Sequence, residues 1–411
     1  MFKILFTIVA LSLLIMALVK HERITVFKLA LFSSLVYFLP GFFGYVQLPY
    51  FLGTEEIDAK VYIIYLLTLL TLYTFSTIFG KQKGKSIKFG DYNGKDHLIT
   101  QLLVISTLFV FLAMLITMGS TLFSESKSDI AENHNRWRML FQYITAIGLV
   151  YSFTIKKKSV FLLFLVLSFF NLYTGNRSHT ALAFIGIIYL QLLSLNKVKI
   201  IKYKKLLLSV ISIGSLFFIY KGISGALRAG LYDVVMNRLS DLNYYGSVVN
   251  RSEPFIVQNI LNQVVENDYQ IGLTVYKPVL SILIPLYSEV FGNVDTFSSL
   301  YARDFYSNVN YGMGSNIFAE AYSAGGLGFV FIFIVFYSFV LLFYEKIVFF
   351  IQDNFLRSGL ALSIAYMVFY IHRNNLVYQL LIQKRIILIT LSIYLIAHII
   401  FYMSKRHKKK I

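Results

Sequence analysis

The stretch that decides the fold is "YGMGSNIFAEAYSAGGLGFVFIFIVFYSFVLLFY", residues 311–344. From Leu327 to Tyr344 it carries no charged side chain, and about 20 residues of this kind cross ~30 Å of hydrocarbon as a helix. The approach to that run crowds Gly312, Gly314, Ser315 and Asn316 ahead of a single carboxylate, Glu320, followed by Gly325, Gly326 and Gly328. Outward from it, apolar blocks of similar length recur in both directions. They predict about eleven spans, at 2–19, 25–46, 61–79, 98–118, 139–155, 159–174, 179–195, 206–221, 317–344, 355–371 and 386–403.

Composition agrees. The chain of 411 residues is 57% hydrophobic and 14% charged, against about 25% charged in ordinary soluble domains. The expected fold class is all-α, a polytopic bundle of transmembrane helices. The first block ends "IMALVK" without a small-x-small cleavage pattern, so it reads as a retained span. There is no cysteine, which removes disulfides and Cys-based metal sites.

A net charge of +18 invites a nucleic-acid reading, but the lysines are not distributed for one. They cluster in "KQKGKSIKFGDYNGKD" (81–96), "KKK" (156–158), "KVKIIKYKK" (197–205) and "KRHKKK" (405–410), which fall in alternate loops. The intervening loops are acidic or balanced, and 222–316 holds eight acids against five bases. Basic alternate loops mark the cytoplasmic side, with anionic membrane lipid as their partner. The N-terminus is therefore expected outside and the C-terminus in the cytoplasm. No soluble linker divides the chain, so 1–411 reads as one integral membrane domain carrying 222–316 as a large extracytoplasmic loop.

That loop is too long to be structureless. "SEPFIVQNILNQVVEND" predicts a helix with Phe255, Ile256, Ile260, Leu261, Val264 and Val265 on its apolar face, capped by Ser252 or Glu253, with Pro254 at its first position. A second amphipathic pattern runs from Leu227 to Leu242. "KPVLSILIPLYSEVFG", interrupted by Pro278 and Pro285, suits an interfacial or re-entrant piece. These helices are expected to lie on the membrane surface and roof a cavity.

Arg177, Arg228 and Arg373 all fall at the outer edge of spans. Arginines in such places are costly and usually face the protein interior, and a guanidinium suits the two-pronged binding of phosphate oxygens. No P-loop or dinucleotide fingerprint appears, and the seven histidines form no zinc-type pairing. The expected chemistry uses neither nucleotide nor metal, and no cofactor.

"GMGSNIFAEAYSAGGLG" (312–328) resembles the G-x-G-x-S-x-x-x-E-x-Y-x-x-x-G-x-x-G signature of Wzy-type oligosaccharide repeat-unit polymerases, the O-antigen and capsular polysaccharide polymerases. "TGNRS" (174–178) is similar to the family's T-G-x-R-S element, "HRNN" (372–375) to its later arginine position, and Arg303 with Gly314 to an R-x10-G element. The resemblance implies a type C glycosyltransferase-like bundle in the bacterial cytoplasmic membrane. It implies a glycosyltransferase that joins undecaprenyl-diphosphate-linked oligosaccharide units on the outer face, in a pathway shared with a flippase and a chain-length regulator. On that reading Glu320, Arg177 and Arg373 are catalytic, and Arg228, Arg303, Gly312, Gly314, Ser315, Asn316 and Tyr322 bind substrate. Glu320 is the expected general base and Asn316 or Ser315 the expected helix cap, while Gly325, Gly326 and Gly328 are expected to let helices pack closely. A bland alternative gives Glu320 only the task of orienting an arginine. An O-antigen ligase would share donor and topology, but such ligases carry a histidine in the large outer loop, and 222–316 has none. A flippase would show short loops throughout and internal repeats.

Overall fold

A computed structural model describes residues 1–19, 25–48, 53–79, 87, 89–90, 92–124, 135–194, 200–250, 252–283, 295–306 and 314–408. Apart from one small hairpin its regular structure is helical, and each of the eleven apolar blocks coincides with helix over most of its length. Among the described residues, five helices are long and apolar enough to cross a membrane: 59–79, 94–122, 317–350, 354–373 and 376–404. Large apolar side chains point outward along them, with Ile105 64%, Ile116 82%, Ile332 61% and Phe343 63% exposed. In water such a band would be an aggregation hazard, whereas lipid solvates it.

The chain divides into two compact units. The first comprises 1–83, 246–346 and 366–383. Here Phe2–Val19 and Val26–Tyr37 pack on Ala59–Phe79, burying Phe6, Phe27, Phe38 and Tyr65, with Phe38 stacked on Tyr65 at 4.2 Å. The block expected as one span over 25–46 is instead broken. Its helix stops at Tyr37 after 12 residues, which span only about 18 Å. Pro40 then starts a short turn of helix, Gly44 adopts φ 88°, and Tyr45–Gln47 pairs antiparallel with Thr54–Glu56. Proline and a left-handed glycine end a helix whatever the apolarity around them.

The helix expected at "SEPFIVQNILNQVVEND" forms over Glu253–Glu266, with Pro254 in its first turn. It does not lie on the surface of its unit. It packs against Val26–Tyr37, Leu39–Phe43, Ala59–Phe79 and strand Tyr45–Gln47, and its polar Gln258, Asn259 and Asn262 are as buried as its leucine. Reading only its apolar stripe hid this, because the opposite face is also covered. The piece "KPVLSILIPLYSEVFG" is helical over Lys277–Leu283, and its remainder lies outside the described residues.

The second unit comprises 84–245, 347–365 and 384–411. Its centre is Arg136–Thr154, which packs on Gly94–Met118, Lys158–Tyr173, Ser178–Ser194 and Asn354–Ala365. A helix screened by protein on all sides needs no apolar coat, and it buries Gln142, Thr145, Ser152 and Thr154, the last 3.0 Å from Ser358 Oγ. Close backbone approach of the kind expected at Gly325–Gly328 occurs here instead. A Cβ on Gly186 would meet the Ala361 carbonyl oxygen at 3.4 Å. In the same unit Tyr232–Ser240 buries Val235, but Leu227, Leu231 and Leu239 of the expected apolar face are exposed, along with Tyr232 and Met236.

The helix Ile317–Phe350 is not continuous. Gly325 and Gly326 have non-helical dihedrals, with Gly326 at φ 66°, ψ −158°, a region essentially restricted to glycine. Nothing lies within 4 Å of a Cβ built on Gly326 or Gly328. The glycines therefore correct the expectation: they break a helix rather than seat a neighbour. Gly326→Ala is expected to destabilise by about 2 kcal/mol through backbone strain alone. Gly328→Ala, at a helical position, should be neutral or gain up to about 1 kcal/mol. Thermal unfolding in detergent checks the pair, and equal losses from both would contradict the assignment.

Candidate functional site

The break sets up the site. It leaves a half-helix, residues 317–324, whose two ends are both occupied. At its start Asn316 Oδ1 accepts the N–H groups of Phe318 and Ala319 at 2.9 and 3.2 Å. Its Nδ2 donates to the Val257 carbonyl at 3.1 Å. Asn316 is thus the cap, and Ser315 is not. Before it, Gly314 sits at φ 82°, a conformation glycine adopts without strain, and the Ser315 N–H donates to the Arg373 carbonyl at 3.1 Å. Gly312 lies outside the described residues. At the far end the freed Ser323 carbonyl accepts two backbone N–H groups, from Ile271 at 2.8 Å and Gly272 at 2.9 Å.

Glu320 lies one turn inside this half-helix and is completely buried. Its Oε2 accepts the Leu376 N–H at 2.7 Å, at the start of the helix Leu376–Lys408. Here a carboxylate meets the positive end of a helix. Its Oε1 has no hydrogen-bond partner, and among the described residues Glu320 makes no ion pair. A buried carboxylate oxygen without a partner is expensive to maintain, which is the first mark of a working group. The orienting role of the bland alternative belongs to a different acid. Glu253 Oε2 pairs with Arg373 Nη1 at 2.5 Å, while its Oε1 accepts the Tyr37 hydroxyl at 2.8 Å.

Arg373 is held in a second irregular segment. The helix Asn354–Ala365 passes into a π turn over Tyr366–Tyr370, then a 3₁₀ turn over Ile371–Arg373, before the next helix starts. Such bulges collect at functional sites. The guanidinium lies 4.7 Å from the Tyr370 ring centroid and its side chain is about a third exposed. Beside it His372 is fully buried, its Nε2 3.2 Å from Ser34 Oγ and its ring stacked on Tyr37 at 4.9 Å.

The first unit therefore brings Glu320, Arg373, Gly314, Ser315 and Asn316 together. Tyr322 turns elsewhere: its hydroxyl donates to Asp268 Oδ1 at 2.9 Å, and that bond, ahead of one from Gln270, holds the Asp268 carboxyl below the usual range. Arg303 is also apart, 62% exposed and paired with Asp304 and Asp295. Neither residue shares a contact with Glu320, so their placement as substrate-binding groups gains nothing from the geometry.

In the second unit, "TGNRS" is the turn between Lys158–Tyr173 and Ser178–Ser194. Gly175 at φ 84° donates to the Leu172 carbonyl and Asn176 to that of Asn171, the usual termination of a helix. Arg177 follows directly. The Tyr220 hydroxyl donates to the Leu172 carbonyl at 2.8 Å, and Arg228 Nε donates to the Ser224 carbonyl at 3.3 Å.

No family model, no curated protein and no solved structure matches this chain. Among the described residues no group of three or more His, Cys, Asp or Glu side chains is arranged to hold a metal ion. Sequence reasoning missed Glu253 as a partner of Arg373, and His372, Tyr37 and Ser34 altogether. Glu253 looked like a helix cap because it precedes Pro254, and nothing local points to a partner 120 residues away.

Proposed function

We propose that this protein is a polysaccharide polymerase that joins undecaprenyl-diphosphate-linked oligosaccharide units on the outer face of the bacterial cytoplasmic membrane. The observation that carries the reading is Glu320, a buried carboxylate with one oxygen anchored at a helix start and the other unpartnered, inside the segment that resembles the Wzy-type signature. Glycosyl transfer from a diphosphate requires two things of a protein. The leaving diphosphate carries away the electron pair of its bond to the anomeric carbon, and cations stabilise that charge. The acceptor hydroxyl forms the new bond to that carbon and loses its proton, which Glu320 Oε1 takes as general base. Arg373, about a third exposed beside the signature segment, suits the first task. Arg177 and Arg228 are assigned to it by the resemblance of "TGNRS" and by their position at span edges.

About eleven spans, an outer N-terminus and a cytoplasmic C-terminus complete the reading. A reporter fused after residue 205 or at the C-terminus is expected to register cytoplasm, and one inserted near residue 245 the outer face. Swapped signals at both ends would contradict the topology. The function itself is tested by the surface glycan of a deletion strain. A polymerase null leaves single capped repeat units, a ligase null retains long chains on the lipid carrier, and a flippase null accumulates units inside.

A further inference from the structure

We propose that Tyr37 and Glu253 are positioning residues that present one edge of the Arg373 guanidinium to the substrate's diphosphate; this rests on the reading of Arg373 as a cation that meets the leaving group. Three separate stretches of the chain converge here. Tyr37 is the last residue of Val26–Tyr37, Glu253 the first of Glu253–Glu266, and Arg373 the last of the 3₁₀ turn Ile371–Arg373. Both oxygens of Glu253 are engaged outside its own helix. Oε1 accepts the Tyr37 hydroxyl at 2.8 Å and Oε2 accepts Arg373 Nη1 at 2.5 Å. The Tyr37 ring is fixed in turn by stacking on His372 at 4.9 Å. A long side chain has many rotamers to lose, so an arginine that meets a ligand in one orientation has to be held by its neighbours. Glu253 holds this one at its Nη1 end, and the Tyr370 ring, 4.7 Å away, covers one face.

What this leaves open defines the ligand. In any arginine the Nε–H and one Nη2–H run parallel along a single edge, the pair of donors that grips two oxygens of a phosphate. Among the described residues neither Nε nor Nη2 of Arg373 has a hydrogen-bond partner, and neither is one of the buried polar atoms that lack one. The edge is therefore accessible on a side chain that is about a third exposed. By charge alone a carboxylate next to such a site is a fault, because it repels the anion. By geometry it is the clamp that aims the edge. The two readings differ in sign: if Glu253 positions Arg373, removing its negative charge together with its oxygens weakens the binding of a diphosphate.

The test uses purified full-length protein and inorganic pyrophosphate without added metal, with affinity read by calorimetry and unfolding temperature measured alongside. Arg373→Ala should weaken binding at least tenfold. Glu253→Ala should weaken it about tenfold, the lower range for a hydrogen bond between charged groups. Glu253→Gln should restore it, since its amide oxygen can accept from Nη1 while its amide N–H donates to the Tyr37 oxygen. Tyr37→Phe keeps the ring on His372 and should show a smaller loss in the same direction. The pair is partly exposed, so unfolding temperatures should hold. Tighter binding by Glu253→Ala would make the carboxylate a charge brake and overturn the inference, as would equal losses from Glu253→Ala and Glu253→Gln, or unaltered binding by Arg373→Ala. If pyrophosphate binding follows these variants yet the protein never lengthens a repeat unit, the polymerase reading fails and the positioning survives. If chains are extended, and Arg373→Ala slows extension while Glu253→Ala does not, the reading stands and the positioning fails.

Discussion

Glu320→Gln is expected to bind lipid-linked repeat units normally and to lose at least ~100-fold in rate, the lower range for removal of a general base. Glutamine is the informative replacement because of the hydrogen bond to Leu376. Its amide oxygen can still accept that N–H, so the start of Leu376–Lys408 stays docked. What it cannot do is take a proton at the position of Oε1. The neutral amide is also cheaper to bury than a charge, so the unfolding temperature should not fall. Near-normal turnover would leave Glu320 with only its anchoring role. Glu320→Ala would be ambiguous, since it would also orphan the Leu376 N–H inside the protein.

The second large effect is expected from the arginines. Alanine at Arg177, Arg228 or Arg373 should shorten or abolish the polymer with protein still present in the membrane. Lysine should rescue poorly, because a point charge cannot bridge two phosphate oxygens. Arg373 offers an internal control. Arg373→Lys can keep the ion pair with Glu253, so a defect in that variant isolates the loss of the guanidinium fork from the loss of the pair. A pair about one-third exposed is screened by solvent and contributes modestly to folding, so protein level should hold. Full-length polymer from all three alanine variants, measured on the surface glycan, would remove the arginines from the account.

How much of this was legible beforehand depends on the range of the forces involved. Apolar runs act locally, so the helices at 59–79, 94–118 and 317–350 follow from composition and bilayer thickness. Caps are local too, and Asn316 was readable as one. The break at Gly325–Gly326 was half legible: the glycines stood out, but a glycine that seats a neighbouring helix and one that ends a helix look alike until φ is known. The burial of Glu253–Glu266 on all sides was not legible, because its apolar stripe is what a surface helix also shows. A pairing such as Arg373 with Glu253 joins residues that only the fold brings near. The signature segment revealed which carboxylate to watch and nothing about what stands opposite it.

A reconstituted system isolates chain extension from every other step. Purified protein in liposomes, supplied only with lipid-linked repeat units and a chelator, is expected to convert them into a ladder of longer lipid-linked glycans. The ladder should be absent with Glu320→Gln and should need no nucleotide. Repeat units that are bound, or moved across the bilayer, but never lengthened would contradict the account.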